Sequence, residues 1–313
     1  MSPLMLGIDL GTSGTKALLL DETGEVIATA RAEYHLNRPR EGWTEQDPED
    51  WWDGIRSSVR KVLELSGAEP DRVKALALSG QMHGSVFLNS QGEVIRPPIL
   101  WNDTRTTAQC EEMRRQIGEK RLRELVGNPV LEGFTAPKLL WLRDNEPENY
   151  RELDTLLLPK DFIVYRLTGE KTTEVSDAAG SVLFNVRERK WEDEILSELD
   201  LPGEILPPVR NSTEVVGVLR PEVSDLLGLN VDTLVIAGGA DNACSAVGNG
   251  INQEGRLLAS IGSSGVVLAH TDSMRVDSAG RLHSFNHARP DSWYLMGVML
   301  SAGLSFRWFR KNL

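Results

Sequence analysis

The chain has 313 residues, of which 40% are hydrophobic, and a formal net charge of -12. At roughly 150 residues per domain this length predicts two globular domains, and the acidic balance argues against a nucleic-acid partner. No apolar stretch approaches the roughly 18 residues of a membrane-spanning helix, the first residues lack a signal-peptide pattern, and the two cysteines lack metal or disulfide spacing, so we expect a cytoplasmic protein without a membrane partner.

Three strands are predicted at the start of the chain. Apolar runs over residues 4–9 and 16–20 flank a glycine-rich turn, and residues 21–27 form a hairpin that continues into a third strand. The same pattern over residues 89–95 predicts a further hairpin. The early part of the chain is therefore expected to build a sheet of adjacent strands.

A helix is predicted to begin at Asp47 and Pro48, because an acidic cap and a proline in the first turn suit the exposed amides of a helix start. Gly67 is expected to end it. Its apolar face consists of Trp52, Ile55, Val59, Val62 and Leu63. Further helices are predicted to begin at Asp103, Pro137, Pro159 and Pro221, and a last one to span residues 301–311.

Strands are also predicted over residues 73–78, 233–237 and 292–300. The second of these runs into Gly238 and Gly239, which predict a tight turn before Asp241. Strands of mixed direction with interleaved helices indicate an α/β fold class.

Two turns rich in glycine and hydroxyl groups suggest phosphate binding. Their glycines let backbone amides approach an anion, and their hydroxyls add donors. The candidate phosphate-binding residues are Gly11, Thr12, Ser13 and Lys16 in the first turn and Gly262, Ser263, Ser264 and Gly265 in the second. A plain hairpin is the alternative for each turn, and the first is not a Walker motif because it opens a hairpin rather than a helix.

Two acidic residues complete the candidate site. Asp9 follows the first strand and could hold a hydrated Mg²⁺, an ion that prefers one or two carboxylates and retained waters. Asp241 could orient an attacking hydroxyl and accept its proton during phosphoryl transfer. On the residues alone, a helix N-cap is the favoured interpretation of Asp241 and catalysis is the alternative.

Six segments resemble the FGGY family of carbohydrate kinases, and its xylulokinase branch in particular. They are GIDLGTSGTK at 7–16, QMHG at 81–84, ILWND at 99–103, GFTAPKLLW at 133–141, LPKD at 158–161 and SDAAG at 176–180. The segments occur in the family's order along the whole chain. The resemblance implies the ribonuclease H-like fold that sugar kinases share with actin and Hsp70.

The resemblance also implies a reaction. Asp241 matches the family's general base, and Met82, His83, Asp241 and Asn242 match residues that contact the sugar. ATP and Mg²⁺ would be the cofactors, and D-xylulose would be converted to D-xylulose 5-phosphate. A kinase for ribulose, glycerol or gluconate, or a non-catalytic sugar-binding remnant, remains as an alternative. Residues 101–103 are expected to support the structure.

The domain organisation implied by the resemblance is a sugar-binding domain over residues 1–248 and the beginning of a nucleotide-binding domain over residues 249–313. Relatives continue past Leu313 into an adenosine site, so we expect little kinase activity from this chain alone. Apolar side chains such as Trp308 and Phe309 are expected to be uncovered, which favours instability, a partner chain or association into a homodimer.

Overall fold

The computed structural model describes residues 2–262 and 264–312. The strands in chain order are β1 Leu4–Leu10, β2 Gly14–Asp21, β3 Val26–Glu33, β4 Val73–Gly80, β5 Val86–Leu88, β6 Thr155–Leu157, β7 Thr173–Glu174, β8 Phe184–Asn185, β9 Lys190–Trp191, β10 Val209–Arg210, β11 Val215–Val218, β12 Leu234–Ala240, β13 Leu257–Ile261, β14 Gly265–Thr271, β15 His283–Asn286 and β16 Trp293–Met299. The helices are α1 Pro48–Ser66, α2 Thr107–Gln116, α3 Glu119–Val126, α4 Thr135–Asn145, α5 Pro147–Glu152, α6 Pro159–Thr168, α7 Val175–Ala178, α8 Asp193–Glu198, α9 Pro221–Leu227, α10 Asp241–Gly248 and α11 Gly303–Asn312.

A mixed sheet in the order β11-β12-β4-β1-β2-β3 organises the first part of the chain. Its centre is parallel, since β4 pairs with β1 and with β12 in the same direction. The outer pairs β1–β2, β2–β3 and β11–β12 are antiparallel. Hairpins at one side and helix-containing crossovers to β4 and β12 confirm the α/β class.

Helix α1 covers one face of this sheet. Its cap is the one that the sequence predicts, because the Asp47 side chain accepts a hydrogen bond from the Glu49 amide at 2.9 Å and Gly67 ends the helix with a left-handed backbone, φ 60°. The apolar stripe predicted from the sequence is buried except for Leu63, which is half-buried. The stripe packs in one cluster with the inward side chains of β1 and β2.

A second sheet in the order β13-β14-β16-β15 is antiparallel throughout. Its inner residues Phe285, Tyr294 and Met296 belong to the same buried cluster as the side chains of α2, α3 and α4. Asn128, which follows α3, exchanges two hydrogen bonds of 2.9 Å with the backbone of Ser284 on β15. The second sheet therefore shares a core with the helices of the first part.

Some predicted elements differ from the observed ones. Residues 89–95 form the expected tight turn, with Gly92 at φ 79°, but it is closed by an isolated bridge between Leu88 and Val94 rather than by two strands. The helix predicted from Pro137 begins two residues earlier, at Thr135. The helices predicted from Pro159 and Pro221 are confirmed.

The helix predicted from Asp103 begins at Thr107 instead. The Asp103 carboxylate is buried and accepts hydrogen bonds from the Thr44 amide at 2.6 Å and from the Arg105 side chain at 2.7 Å. Arg105 in turn lies 3.7 Å above the ring of Trp43. The Asp103 carboxylate therefore binds the Thr44 amide and the Arg105 side chain and does not cap a helix.

The last strand and helix agree with the predicted ones to within two residues. Trp308 and Phe309 on α11 are exposed, as the sequence predicts. Cys110 and Cys244 are both free thiols. Within residues 2–262 and 264–312, no helix is long and apolar enough to cross a membrane.

Candidate active site

Three parallel strands bring the candidate residues to one edge of the first sheet. Across the sheet Asp9 pairs with Ser79, and Ser79 pairs with Gly239. Neighbouring strands lie about 4.8 Å apart, so the carboxyl ends of β1, β4 and β12 are adjacent. Asp9 lies at the first of these ends, residues 81–83 follow the second and Asp241 follows the third. Ligands of open α/β sheets bind at such an edge.

A bulge in β12 sets the position of Asp241. Gly238 has φ 76°, and a Cβ atom there would lie 2.0 Å from the carbonyl oxygen of Leu78. The ladder with β4 shifts register between Ile236 and Gly239. The tight turn predicted here is therefore wrong: the strand continues through a glycine bulge to Ala240, and α10 begins directly at Asp241.

Asp241 is not the cap of α10, because Ala240 occupies the N-cap position. The Asp241 Oδ1 atom accepts hydrogen bonds from the backbone amide of Asn242 at 2.7 Å and from its side-chain amide at 2.9 Å. Burial raises the pKa of Asp241 to about 7, against the lowering effect of the Asn242 hydrogen bonds, and the negative charge of Asp9 raises it further. A carboxylate with this pKa exchanges protons near neutral pH.

Asp9 and Lys16 lie opposite each other on β1 and β2 and so share one face of the sheet. Burial raises the pKa of Asp9, while the Ser79 hydrogen bond and the charge of Lys16 lower it. The Asp9 Oδ1 atom accepts from Ser79 at 3.1 Å. Its Oδ2 atom faces the first turn, since a Cβ atom on Gly11 would lie 3.9 Å away.

A network of side-chain hydrogen bonds, which the sequence did not indicate, holds the first turn in place. Thr12 Oγ1 accepts from the indole of Trp101 at 2.9 Å and donates to Gln81 Oε1 at 3.2 Å. Gln46 donates to the Thr12 carbonyl oxygen at 2.7 Å and accepts from Gln81 at 3.0 Å. The Thr12 hydroxyl proton is therefore used within the protein. The Gly11 amide already donates to the Gly14 carbonyl oxygen at 3.1 Å. For an anion, the turn therefore offers the amides of Thr12 and Ser13, the exposed Ser13 hydroxyl and the exposed Lys16.

His83 has an unusual backbone that its neighbours hold in place. It has φ 66° without being glycine, and its carbonyl oxygen accepts from Lys138 Nζ at 2.8 Å and from Thr135 Oγ1 at 3.1 Å. Its Nδ1 atom lies 2.7 Å from the carbonyl oxygen of Gly180. A carbonyl only accepts, so Nδ1 carries the proton and Nε2 is left as an acceptor. Burial lowers the pKa of His83 to about 3, and the charge of Lys138 lowers it further, which keeps the ring neutral.

Met82, His83 and Asn242 lie together. Met82 is buried, and its Sδ atom is 3.6 Å from the Asn242 side-chain amide. The His83 ring meets Phe134 edge-on at 4.5 Å and lies 6.2 Å from Phe285 of the second sheet. The sequence indicated Met82, His83 and Asn242 as site residues but neither phenylalanine. Phe134 lies within the 133–141 segment, whereas no local pattern indicated Phe285.

The second turn joins β13 to β14. The Gly262 amide donates to the Ser264 carbonyl oxygen at 2.8 Å, and the Gly262 carbonyl oxygen accepts from the Gly303 amide at 3.0 Å, so the turn contacts the start of α11. Gly262 is exposed, and Ser264 and Gly265 are half-buried. Ser263 lies outside the described residues. Within the described part of the chain no hydrogen bond joins the two turns.

Superposition on solved structures identifies the class of protein. The chain superposes with a TM-score of 0.92 on a xyloylose kinase from Brucella ovis, at 37% sequence identity, covering 98% of this chain and 63% of that one. A gluconate kinase from Lactobacillus acidophilus gives a TM-score of 0.94 at 25% identity, covering 100% of this chain and 63% of that one. The predicted sugar-kinase fold of the ribonuclease H-like type is confirmed.

The family follows from the sequence comparisons. The model of the N-terminal domain of the FGGY family of carbohydrate kinases matches residues 4–248. Xylulose kinase from Bacillus subtilis (strain 168) is 42% identical over 308 residues, which cover 98% of this chain and 62% of that protein. The chain belongs to the FGGY family of carbohydrate kinases, and it spans less than two thirds of the length of these relatives.

Proposed function

We propose that this protein acts in the ATP-dependent phosphorylation of D-xylulose to D-xylulose 5-phosphate. The observation that carries the proposal is the half-buried Asp241 carboxylate, with a pKa of about 7, beside the wall formed by Met82, His83 and Asn242. Xylulose kinases from Bacillus subtilis and Escherichia coli (strain K12), at 42% and 41% identity, support the choice of sugar.

In the proposed mechanism the free Oδ2 atom of Asp241 accepts the proton of the terminal sugar hydroxyl. The hydroxyl oxygen then bonds to the γ-phosphorus of ATP, the bond to the bridging oxygen breaks, and ADP leaves. His83 Nε2 accepts a hydrogen bond from a second sugar hydroxyl, and Met82 lines the apolar side of the sugar. The amides of the first turn, with Ser13 and Lys16, hold phosphate oxygens.

Asp9 suits Mg²⁺, because one of its oxygens faces the phosphate turn and has no hydrogen-bond partner within the described residues. Bound there, the ion would neutralise phosphate charge. Gly262, Ser263, Ser264 and Gly265 are proposed to contact phosphate from the second sheet.

The domain organisation and setting are part of the proposal. Residues 1–248 would form the sugar-binding domain and residues 249–313 the beginning of the nucleotide-binding domain, which the extent of the family match supports. The two free thiols suit a cytoplasmic location. The exposed Trp308 and Phe309 suit association into a homodimer.

An ADP-release assay across xylulose, ribulose, glycerol and gluconate tests the proposed function, run on this chain and on any longer chain that contains it. We expect xylulose to give the highest kcat/KM. Preference for gluconate would replace the substrate assignment, and the Lactobacillus acidophilus gluconate kinase shows that the fold accommodates this alternative. Sugar binding by calorimetry without ADP release from any version would instead support a non-catalytic sugar-binding protein.

The pKa of Asp241 predicts a pH dependence. Below a pH of about 7 the carboxyl is protonated and cannot accept the hydroxyl proton, so kcat/KM for xylulose should fall about tenfold per pH unit on the acid side. The measurement is the pH profile of initial rates with saturating ATP. A flat profile between about pH 5.5 and 8 would contradict the role of Asp241.

Replacement of Gly180 by alanine should weaken sugar binding. A Cβ atom at this position would lie 2.5 Å from His83 Nδ1 and 2.7 Å from its Cε1 atom, so the imidazole must move and lose its bond to the carbonyl oxygen. We expect the Kd for xylulose to rise by about tenfold, the worth of one or two hydrogen bonds. Isothermal calorimetry measures it directly.

Gly203→Ala is the matched control for this variant. Gly180 and Gly203 each lie in a short 3₁₀ turn, but a Cβ atom on Gly203 would make only an ordinary contact of 3.6 Å with Leu196. Equal affinities of the two variants would show that the His83 orientation does not control sugar binding.

A further inference from the structure

A cluster of buried charges lies against β12, on the strand that carries Asp241. Its members are Lys160, Asp161, Glu174 and Asp177, all 0–1% exposed. Lys160 Nζ donates to Asp161 at 2.5 Å and lies 3.9 Å from Glu174 and 4.0 Å from Asp177. These residues come from the 158–161 and 176–180 segments and from β7, and the proposed mechanism uses none of them.

Glu174 organises the start of α7. Its carboxylate accepts hydrogen bonds from the Ser176 amide at 2.9 Å, from the Ser176 hydroxyl at 2.8 Å and from the Asp177 amide at 2.7 Å. It also accepts from the Ser212 hydroxyl at 2.5 Å. A buried carboxylate with this many donors fixes the orientation of each of them.

Ser176 connects this carboxylate to the active-site strand. A serine hydroxyl has a single proton, and the proton of Ser176 is given to Glu174. Its oxygen is thereby left to accept, and it does so from the backbone amide of Ala240 at 3.0 Å. Ala240 is the residue immediately before Asp241.

Lys160 holds the same strand on the other side of the bulge. Its Nζ atom lies 3.4 Å from the carbonyl oxygen of Ala237. The glycine bulge at residues 238–239 therefore lies between a contact at Ala237, made by Lys160 of the charge cluster, and a contact at Ala240, made by Ser176, which Glu174 of the cluster orients. A bulge with two glycines has many alternative backbone conformations, and these two contacts restrict it together with the bond from the Gly238 amide to the Ser212 carbonyl oxygen.

We propose that Ser176, oriented by Glu174, is a positioning residue that fixes Ala240 and so aims the Asp241 carboxylate at the substrate hydroxyl. This inference rests on the proposed function for the role of Asp241. Neither Ser176 nor Glu174 touches the substrate; both act through the backbone of β12.

The test compares Ser176→Ala with Ser212→Ala. Both variants remove a hydroxyl that donates to Glu174, and both sites are buried, so a purely structural loss should affect them alike. Only Ser176 accepts from Ala240. Ser212 reaches β12 through its carbonyl oxygen, which accepts from the Gly238 amide at 3.0 Å and survives the substitution.

The readouts are hydrogen exchange of the Ala240 amide, sugar Kd and kcat. In Ser176→Ala we expect exchange of this amide to be about tenfold faster, and kcat to fall by about 10- to 100-fold with a smaller change in sugar Kd, since small misplacements of a reacting group are costly. In the Ser212→Ala variant, the exchange rate of the Ala240 amide and kcat should both stay within about twofold of the parent protein. Glu174→Gln replaces one of the two oxygens that accept from the Ser176 hydroxyl by an amide donor. It should change Ala240 exchange and kcat in the same direction as Ser176→Ala, and it replaces that variant if Ser176→Ala fails to fold.

The outcomes separate the two proposals. If neither this chain nor a longer chain that contains it releases ADP with any sugar, the proposed function fails, and the exchange rate of the Ala240 amide alone tests whether Ser176 holds Ala240. If the parent protein is active and Ser176→Ala matches Ser212→Ala in both kcat and Ala240 exchange, the positioning role of Ser176 is overturned.

Discussion

Replacement of Asp241 by asparagine is expected to lower the rate of sugar phosphorylation by about 10²- to 10⁴-fold, the usual contribution of a general base. Asparagine has nearly the same shape as aspartate, and its oxygen can still accept the two hydrogen bonds from Asn242. It cannot accept the hydroxyl proton at any pH near neutral. Sugar binding, which also uses the Met82 and His83 wall, should survive.

The measurement pairs ADP release, in this chain or a longer chain that contains it, with calorimetric titration of xylulose. Asp193→Asn is the matched control, because Asp193 is likewise the first residue of a helix, α8, but is exposed. The control should keep the parent rate and affinity. Near-normal turnover in Asp241→Asn would rule out the general-base role, and loss of both sugar binding and turnover would place Asp241 in substrate binding rather than in proton transfer.

The sequence correctly predicted helix ends that depend on residues close to them along the chain. The start and end of α1 follow from Asp47, Pro48 and Gly67, each of which acts within about one turn of the helix end. Asp103 shows where this reasoning fails. Its type and position favour a helix start, but Thr44 and Arg105 bind its carboxylate, and Thr44 is 59 residues away.

The glycine bulge is a second case. Two consecutive glycines after an apolar run are typical of a turn, and only the parallel pairing with β4 reveals that the strand continues past them. The space for Gly238 is set by the carbonyl of Leu78, a residue on another strand. A pattern within residues 233–242 does not contain that information.

The candidate site was predictable to a similar degree. Met82 and His83 lie in a segment that resembles a family, and Asp241 and Asn242 match residues of that family. The structure places Asn242 in contact with both Met82 and Asp241. The residues that hold the site in place could not be predicted from the sequence. Their contacts, such as Gln46 to Thr12 and Ser176 to Ala240, join positions 34 and 64 residues apart. Partners at such separations follow from the packing of elements and not from spacing along the chain.

Replacement of Lys160 by methionine is expected to lower the free energy of unfolding by about 3–5 kcal/mol, the usual cost of removing one partner from a buried ion pair. Burial opposes the charge of Lys160, but Asp161, Glu174 and Asp177 raise its pKa above the ordinary lysine value, so it stays charged. Without it three carboxyl groups share a site with no cation. Burial already raises the pKa of Asp177 well above its ordinary value.

Urea unfolding followed by circular dichroism measures this loss, with Lys171→Met as the control. Lys171 also forms a salt bridge, at 2.7 Å to Asp154, but both side chains are partly exposed, so its loss should cost less than about 1 kcal/mol. If uncompensated charge is the cause, the deficit of Lys160→Met should shrink at acid pH, where the carboxyl groups are protonated, and Asp161→Asn should restore part of the stability when combined with it. A Lys160→Met protein as stable as Lys171→Met would show instead that the cluster tolerates three carboxyl groups without a cation, and that the contact of Lys160 with the Ala237 carbonyl oxygen is not needed for stability.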